Sequence, residues 1–367
     1  MNNNSNSKKT AFITGIAGQD GSYLAEFLTE KGYRVFGLVR DTSPEKNPNI
    51  KDLITAGKIT LIQGDMKDCD SIIRAFEQVN QTNERDGAGP IDEVYNLAAQ
   101  TDYMTSFAKP GETFDLNYQG VGYVVDAAMK CNPSVRIFQA SSSEMYGEAL
   151  PPQSETTPFK PISPYGEAKL KAHNEFVVGY RQKYDLYICS GILFNHESPR
   201  RQERYVTRKI TSSLARIKLG LQETLELGNI DARRDWGFSG DYVRAMWLIL
   251  QEQKADDYVI ASGASHTVRE FVNAAASALD MQLTWEGKDI KEVARDTTGT
   301  VRVRINEKFY RPIDTHFTCG EPAKLMARTG WKPQTTFEEL VSMMAQSDLE
   351  KAQAEIETVQ KGAENIT

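Results

Sequence analysis

Tyr165 and Lys169 stand four residues apart in the stretch SPYGEAK, directly after Pro164. On a helix that spacing puts both side chains on one face. A lysine cation beside a phenol favours the phenolate, so the pair offers a general base for use near neutral pH. Upstream, Ser141-Ser142-Ser143-Glu144 closes an apolar run that reads as a strand. Strand C-terminal ends are where an open α/β sheet keeps its ligand crevice. On position alone, Glu144 reads equally as a surface carboxylate after a strand.

A second constellation opens the chain. Gly15, Gly18 and Gly21, spaced G-x-x-G-x-x-G, follow the first strand-like run and enter the first helical pattern. Gly15 permits a sharp turn. Gly18 lets the backbone approach a pyrophosphate at a helix N-terminus, and Gly21 lets helix and strand pack closely. A dinucleotide site is expected here, with Gln19 and Asp20 inside the loop. Its nicotinium charge would add to that of Lys169 in favouring the Tyr165 phenolate. Asp65 ends the third strand, beside Met66, where a carboxylate can meet the adenine. Leu97-Ala98-Ala99 ends the fourth, where small side chains leave room. At the end of the second strand an acidic residue would bind a ribose 2'-hydroxyl and an Arg a 2'-phosphate. Arg40 comes first and Asp41 follows, so NADP is favoured over NAD.

Alternating elements position these groups. Strands are expected at Lys9–Thr14, Arg34–Val39, Ile59–Gln63, Glu93–Leu97, Val135–Ala140 and Leu186–Leu193. Helices are expected at Gln19–Lys31, Ser71–Val79, Thr113–Lys130 and Pro164–Tyr184, with a polar loop at Gln81–Pro90. This alternation predicts an α/β fold with a Rossmann-type doubly wound parallel sheet and a smaller C-terminal α/β substrate lobe. The rhythm breaks near residue 195. Pro199–Arg234 is rich in Arg and Lys. Helices are expected at Gly240–Gln251, at Thr267–Leu279 and from about Phe337, and a strand at Asp257–Ala261. The organisation read from this is a disordered tail at 1–8 and a dinucleotide-binding domain at 9–195, to which some later segments return. A substrate lobe at 196–348 and a charged tail at 349–367 complete it.

Composition sets limits. The chain has 367 residues, 40% hydrophobic and 25% charged, with a net charge of -7, which argues against a nucleic-acid surface. No apolar run is long enough to span a membrane, and the start MNNNSNSKK is no secretory signal. The four cysteines and four histidines are scattered, so no metal site is expected, and reduced thiols point to the cytoplasm.

The chain resembles the extended short-chain dehydrogenase/reductases and, within them, the GDP-mannose 4,6-dehydratase family. The matching stretches are TGIAGQDGSYLAEFL (from Thr14), SSSEMYG (from Ser141), SPYGEAK (from Ser163) and LFNHESPRR (from Leu193). VTRKI (from Val206), RRDWGFSGDYVRAMW (from Arg233), HTVREF (from His266) and TGWKP (from Thr329) continue the series. The resemblance implies a reaction. Tyr165 takes the proton of the sugar 4-hydroxyl while carbon 4 gives hydride to the cofactor. Glu144 removes the carbon 5 proton, water leaves from carbon 6, and hydride returns there. It also implies that Ser142 stands where the family has Thr. By resemblance Lys209, Arg234 and Arg311 hold the GDP moiety, Asn195 and Ser106 face the sugar or diphosphate, and His196 and Arg201 lie on the cofactor side. A homodimer or homotetramer is implied too. Asp41 replaces a family Arg, and the loop Thr42–Asn49 also differs. Ile313 and His316 depart near Arg311, which leaves a related sugar such as a GDP-heptose open.

Overall fold

The computed structural model describes residues 8–309 and 317–364. Seven strands build the main sheet: β1 (Thr10–Thr14), β2 (Arg34–Val39), β3 (Ile59–Gln63), β4 (Glu93–Asn96), β5 (Arg136–Ser142), β6 (Ile188–Leu193) and, returning late, Asp257–Ile260. From the late strand inward the order is Asp257–Ile260, β6, β5, β4, β1, β2, β3, and every pairing is parallel. Runs such as TAFIT and RVFGLV suit strands covered on both faces. One face buries Leu24, Leu28 and Met246 from the flanking helices, and the other buries Phe76, Val79 and Val124. The β1–β4 junction is the topological switch point, and there ligands bind beyond the strand C-termini.

Helix α1 (Gln19–Glu30) follows β1, and α2 (Cys69–Arg85) follows β3. The loop expected from Gln81 is therefore helical as far as Arg85. Asn83 is fully buried on the face shared with Phe76 and Val79, and its side-chain amide donates to Thr10 Oγ1 at 3.1 Å. The polar composition belongs to the outer face of the same helix. The two long helices expected at 113–130 and 164–184 are each interrupted by a π-helical stretch, at Asp115–Gln119 and His173–Gly179. Tyr118 and Phe176, one from each stretch, lie 5.2 Å apart between ring centroids.

The second lobe carries two small sheets. Asn195–Glu197, Arg233–Phe238 and Ser265–Thr267 form one; Leu225–Leu227, Thr284–Glu286, Val293–Arg295 and Val301–Ile305 form the other. The helix Val206–Lys218 packs here, inside the basic stretch where no helix was expected. Ile210, Leu214 and Ile217 give it an apolar face. The helix Phe337–Glu364 is continuous into the segment expected to be a charged tail. Arg208 and Asp348 tie these two helices through a buried ion pair at 2.6 Å.

Candidate active site

Gly15 has a positive φ of 71°, and a Cβ there would come within 2.9 Å of the Ala98 amide. At Gly21 a Cβ would lie 2.2 Å from the Gly15 carbonyl oxygen, so only glycine fits. Thr14 Oγ1 accepts from the Leu97 and Ala98 amides, both at 3.1 Å, locking the ends of β1 and β4 together. Gly18 opens α1 with no side-chain cap, so the first amides of the helix are left for an anion. This glycine cradle fits a dinucleotide pyrophosphate.

Gln19 and Asp20 reach across to the second lobe. Gln19 donates to the His196 carbonyl at 3.0 Å and accepts from Ser198 Oγ at 2.8 Å. Asp20 Oδ2 meets His196 Nε2 at 2.8 Å, and Asp20 Oδ1 accepts from Ser239 Oγ at 2.7 Å. Burial opposes charge on Asp20, but His196 and Ser239 outweigh it and hold the carboxyl at about 2. Burial likewise works against a charged His196. The Asp20 carboxylate and the Phe194 carbonyl, 2.7 Å from Nδ1, together raise it above the usual histidine range. The pair is an ion pair that closes the floor between the lobes.

The reacting groups sit at the end of β5. Ser142 Oγ accepts from the Glu144 amide at 3.2 Å, forming the tight turn that sends Glu144 inward. Ser163 caps the next helix (Pro164–Ala172) by accepting from the Gly166 amide at 3.1 Å, and Pro164 occupies its first turn. Gly166 lets that turn press on the Glu144 backbone; a Cβ would lie 2.5 Å from the Glu144 carbonyl oxygen. Tyr165 and Glu144 are thus packed as one unit. Glu144 Oε2 is buried and has no hydrogen-bond partner among the described residues.

Lys169 is buried beneath Tyr165, with Nζ 5.9 Å from the ring centroid and donating to the Ala140 carbonyl at 2.8 Å. Burial pulls its ammonium down to about 8. The phenol does not show the depression expected from this cation. Burial holds Tyr165 above the ordinary phenol range; Ser142 as hydrogen-bond partner lowers it, Glu144 and Tyr205 raise it, and Arg201 lowers it a little.

These elements surround a cleft of about 880 Å³. Ser142, Glu144, Tyr165, Asp20, Leu97, Asn195, His196, Arg201, Lys209 and Arg234 all line it. Lys209 Nζ lies over the Phe309 ring at 3.4 Å, and burial lowers its pKa. Arg234 is nearly buried and donates to the Arg233 carbonyl at 2.8 Å. Arg201 Nε pairs with Glu197 at 3.1 Å and its guanidinium lies over Tyr205 at 3.7 Å.

Other expected residues fall elsewhere. Gly15, Gly18, Gln19, Gly21, Arg40, Asp65, Met66, Ala98 and Ala99 lie outside the cleft lining, at or just beyond the ends of β1 to β4. Ser106 is fully buried, its hydroxyl donating to the Tyr103 carbonyl at 2.7 Å, so it does not face the cleft. Arg311, Ile313 and His316 lie outside the described residues. The cleft also has walls that the sequence reading gave no role. Thr101 Oγ1 and Tyr205 Oη meet at 2.6 Å, and Asp102 pairs with Arg204 at 3.6 Å, joining the two lobes over its mouth. Glu197, inside the phrase LFNHESPRR, also lines the cleft; a lone carboxylate carries no spacing signal in the sequence. Among the described residues no cluster of His, Cys, Asp or Glu could hold a metal, and no helix is long and apolar enough to cross a membrane.

The sequence profile of the family described as GDP-mannose 4,6 dehydratase matches residues 12–344. A curated relative, the GDP-mannose 4,6 dehydratase of Drosophila melanogaster, is 45% identical over 352 residues, covering 93% of this chain and 86% of its own. Among solved structures, the UDP-glucose 4-epimerase of Thermus thermophilus in complex with NAD superposes with a TM-score of 0.73. It is 25% identical and covers 92% of this chain and 98% of its own. RMD from Pseudomonas aeruginosa complexed with NADPH gives a TM-score of 0.72 at 21% identity, covering 94% and 100%.

Proposed function

The chain belongs to the GDP-mannose 4,6 dehydratase family, and from that membership we propose that it converts GDP-mannose to GDP-4-keto-6-deoxymannose with loss of water. The observation that carries this beyond the fold is Glu144. A nucleotide-sugar epimerase or reductase of the same fold also needs Tyr165 and Lys169 but has no use for a second base. Here Glu144 lines the same cleft as the phenol, and its buried Oε2 has no hydrogen-bond partner among the described residues.

A bound nicotinamide dinucleotide supplies a reversible hydride store. The chain's own residues do the rest. Tyr165 Oη takes the proton of the sugar 4-hydroxyl, with Ser142 Oγ as its hydrogen-bond partner. Lys169 stabilises the phenolate from below. A ketone at carbon 4 acidifies the carbon 5 proton, which the Glu144 carboxylate removes and then delivers to the 6-hydroxyl, departing as water; the stored hydride returns to carbon 6 and Tyr165 gives its proton to carbon 5. Lys209 and Arg234 hold the diphosphate, and Asn195 fixes the sugar. Gly15, Gly18 and Gly21 cradle the dinucleotide.

We assign the dinucleotide as NADP. Arg40 is exposed at the end of β2 with no ion pair among the described residues, which suits a 2'-phosphate. Assembly as a homodimer or homotetramer is supported by the aromatic face of Tyr118, Phe176, Tyr180 and Tyr184, the last 45% exposed. A cytoplasmic setting is supported by the free cysteines.

The test is purified protein with GDP-mannose, NADP and no added reductant. A 4-keto-6-deoxy product identified by mass spectrometry is expected, and Glu144→Gln should abolish it. Epimerisation or net oxidation alone, or full turnover by Glu144→Gln, would overturn the assignment.

A further inference from the structure

The β2 end carries two residues with opposite cofactor preferences, Arg40 and Asp41. An aspartate at this place favours NAD when both carboxylate oxygens are open to a ribose diol. In this chain Asp41 is turned into its own loop. Its Oδ1 accepts from the Ser43 amide at 2.9 Å and from Ser43 Oγ at 2.6 Å. The loop that fixes this turn is itself pinned. Asn47 is 4% exposed, and its Nδ2 donates to the Asp41 carbonyl at 2.7 Å and to the Ser43 carbonyl at 2.8 Å. Asn49 Nδ2 donates to the Ala17 carbonyl at 3.0 Å, seating the loop against the glycine cradle.

We infer that Ser43 is a positioning residue for cofactor choice: it holds the Asp41 carboxylate away from the ribose and leaves Arg40 to select a 2'-phosphate. The inference rests on the NADP assignment above. Bidentate capture of a 2',3'-diol needs both carboxylate oxygens, and one of them already serves two donors. The same two hydrogen bonds draw the Asp41 carboxyl below its usual range, so it stays an anion. Released from the Ser43 hydroxyl and held by the Ser43 amide alone, that anion would turn more readily to the ribose, attract its diol and repel a 2'-phosphate. Asn47 and Asn49 prevent the loop from swinging the carboxylate round by itself.

The experiment measures Kd for NADP+ and NAD+ by titration calorimetry on wild type, Ser43→Ala, Ser43→Thr, Asp41→Asn and the double variant Asp41→Asn/Ser43→Ala. Wild type is expected to prefer NADP+. Ser43→Ala is expected to lower the NADP+ over NAD+ preference by about fivefold, in keeping with the loss of a hydrogen bond to a charged group. Ser43→Thr, which keeps both donors, should retain the wild-type preference. The alanine should change nothing in the Asp41→Asn background, because there is no charge left to release. Wild type preferring NAD+ overturns the NADP assignment itself. Wild type preferring NADP+ while Ser43→Ala leaves the ratio unchanged overturns only the role of Ser43, as does an equal shift in the Asp41→Asn background.

Discussion

Asp20→Asn should separate the two lobes energetically without touching the reacting groups. Asp20 opens α1, bonds His196 at 2.8 Å and Ser239 at 2.7 Å, and has a side chain only 22% exposed. Its carboxyl falls from 3.8 to about 2 on folding, which corresponds to about 2 kcal/mol of stability at neutral pH. Because the carboxyl is depressed, that contribution is full above 3.8 and is lost as pH falls towards about 2. The histidine is raised instead. Its contribution is full below 6.5 and is lost as pH rises through its folded value. The gap between wild type and variant should therefore be largest between about pH 4 and pH 6.5 and should narrow in alkali. Urea unfolding followed by tryptophan fluorescence reads it, since Trp236 and Trp331 are both buried. A variant as stable as wild type at pH 6, or a gap that widens on the alkaline side, would refute the ion pair.

Three further outcomes are expected. Gly21→Ala should lower dinucleotide affinity at least about tenfold in calorimetry, because its Cβ would lie 2.2 Å from the Gly15 carbonyl oxygen. Lys209→Met should raise KM for GDP-mannose about tenfold or more while leaving the dinucleotide Kd unchanged in the same titrations. Lys169→Met should lose turnover yet unfold at higher urea concentration at pH 7. A buried ammonium held at about 8 instead of 10.5 opposes folding below that value, by about 3 kcal/mol, less about 1 kcal/mol for the bond to the Ala140 carbonyl. That advantage should shrink as pH rises from about 8 to 10.5.

The first strands of the main sheet were legible because TAFIT, RVFGLV and ITLIQ are rich in β-branched and aromatic residues with glycines close by, and the glycine loop fell where strand becomes helix. The placement of Tyr165, Glu144 and Ser142 at or next to element ends was legible for the same local reason, whereas the part given to Glu144 came from the family resemblance. Asn83 marks where local reading stopped working. The expected helix stopped at Val79 because Gln81–Pro90 is polar and contains glycine, but burial of Asn83 and its bond to Thr10 carry the helix on to Arg85. The helix at Val206–Lys218 was hidden by its charges, although Ile210, Leu214 and Ile217 recur at helical spacing. The cleft mouth was out of reach for a different reason. Thr101 and Asp102 meet Tyr205 and Arg204 about a hundred residues away, and no periodicity encodes a pairing between lobes. The Tyr165 pKa lies above the expected range because burial outweighs the neighbouring charges, and Lys169 Nζ donates to the Ala140 carbonyl while the phenol is neutral.

The most direct measurement is the fate of label in GDP-mannose deuterated at carbon 4, turned over with NADP and no reductant, with the product read by mass spectrometry and NMR. Deuterium transferred to carbon 6 of a 4-keto product, with no build-up of reduced dinucleotide, is the predicted result. Deuterium retained at carbon 4, or lost to a stoichiometric pool of reduced dinucleotide, would contradict the internal redox cycle built on Tyr165 and Glu144.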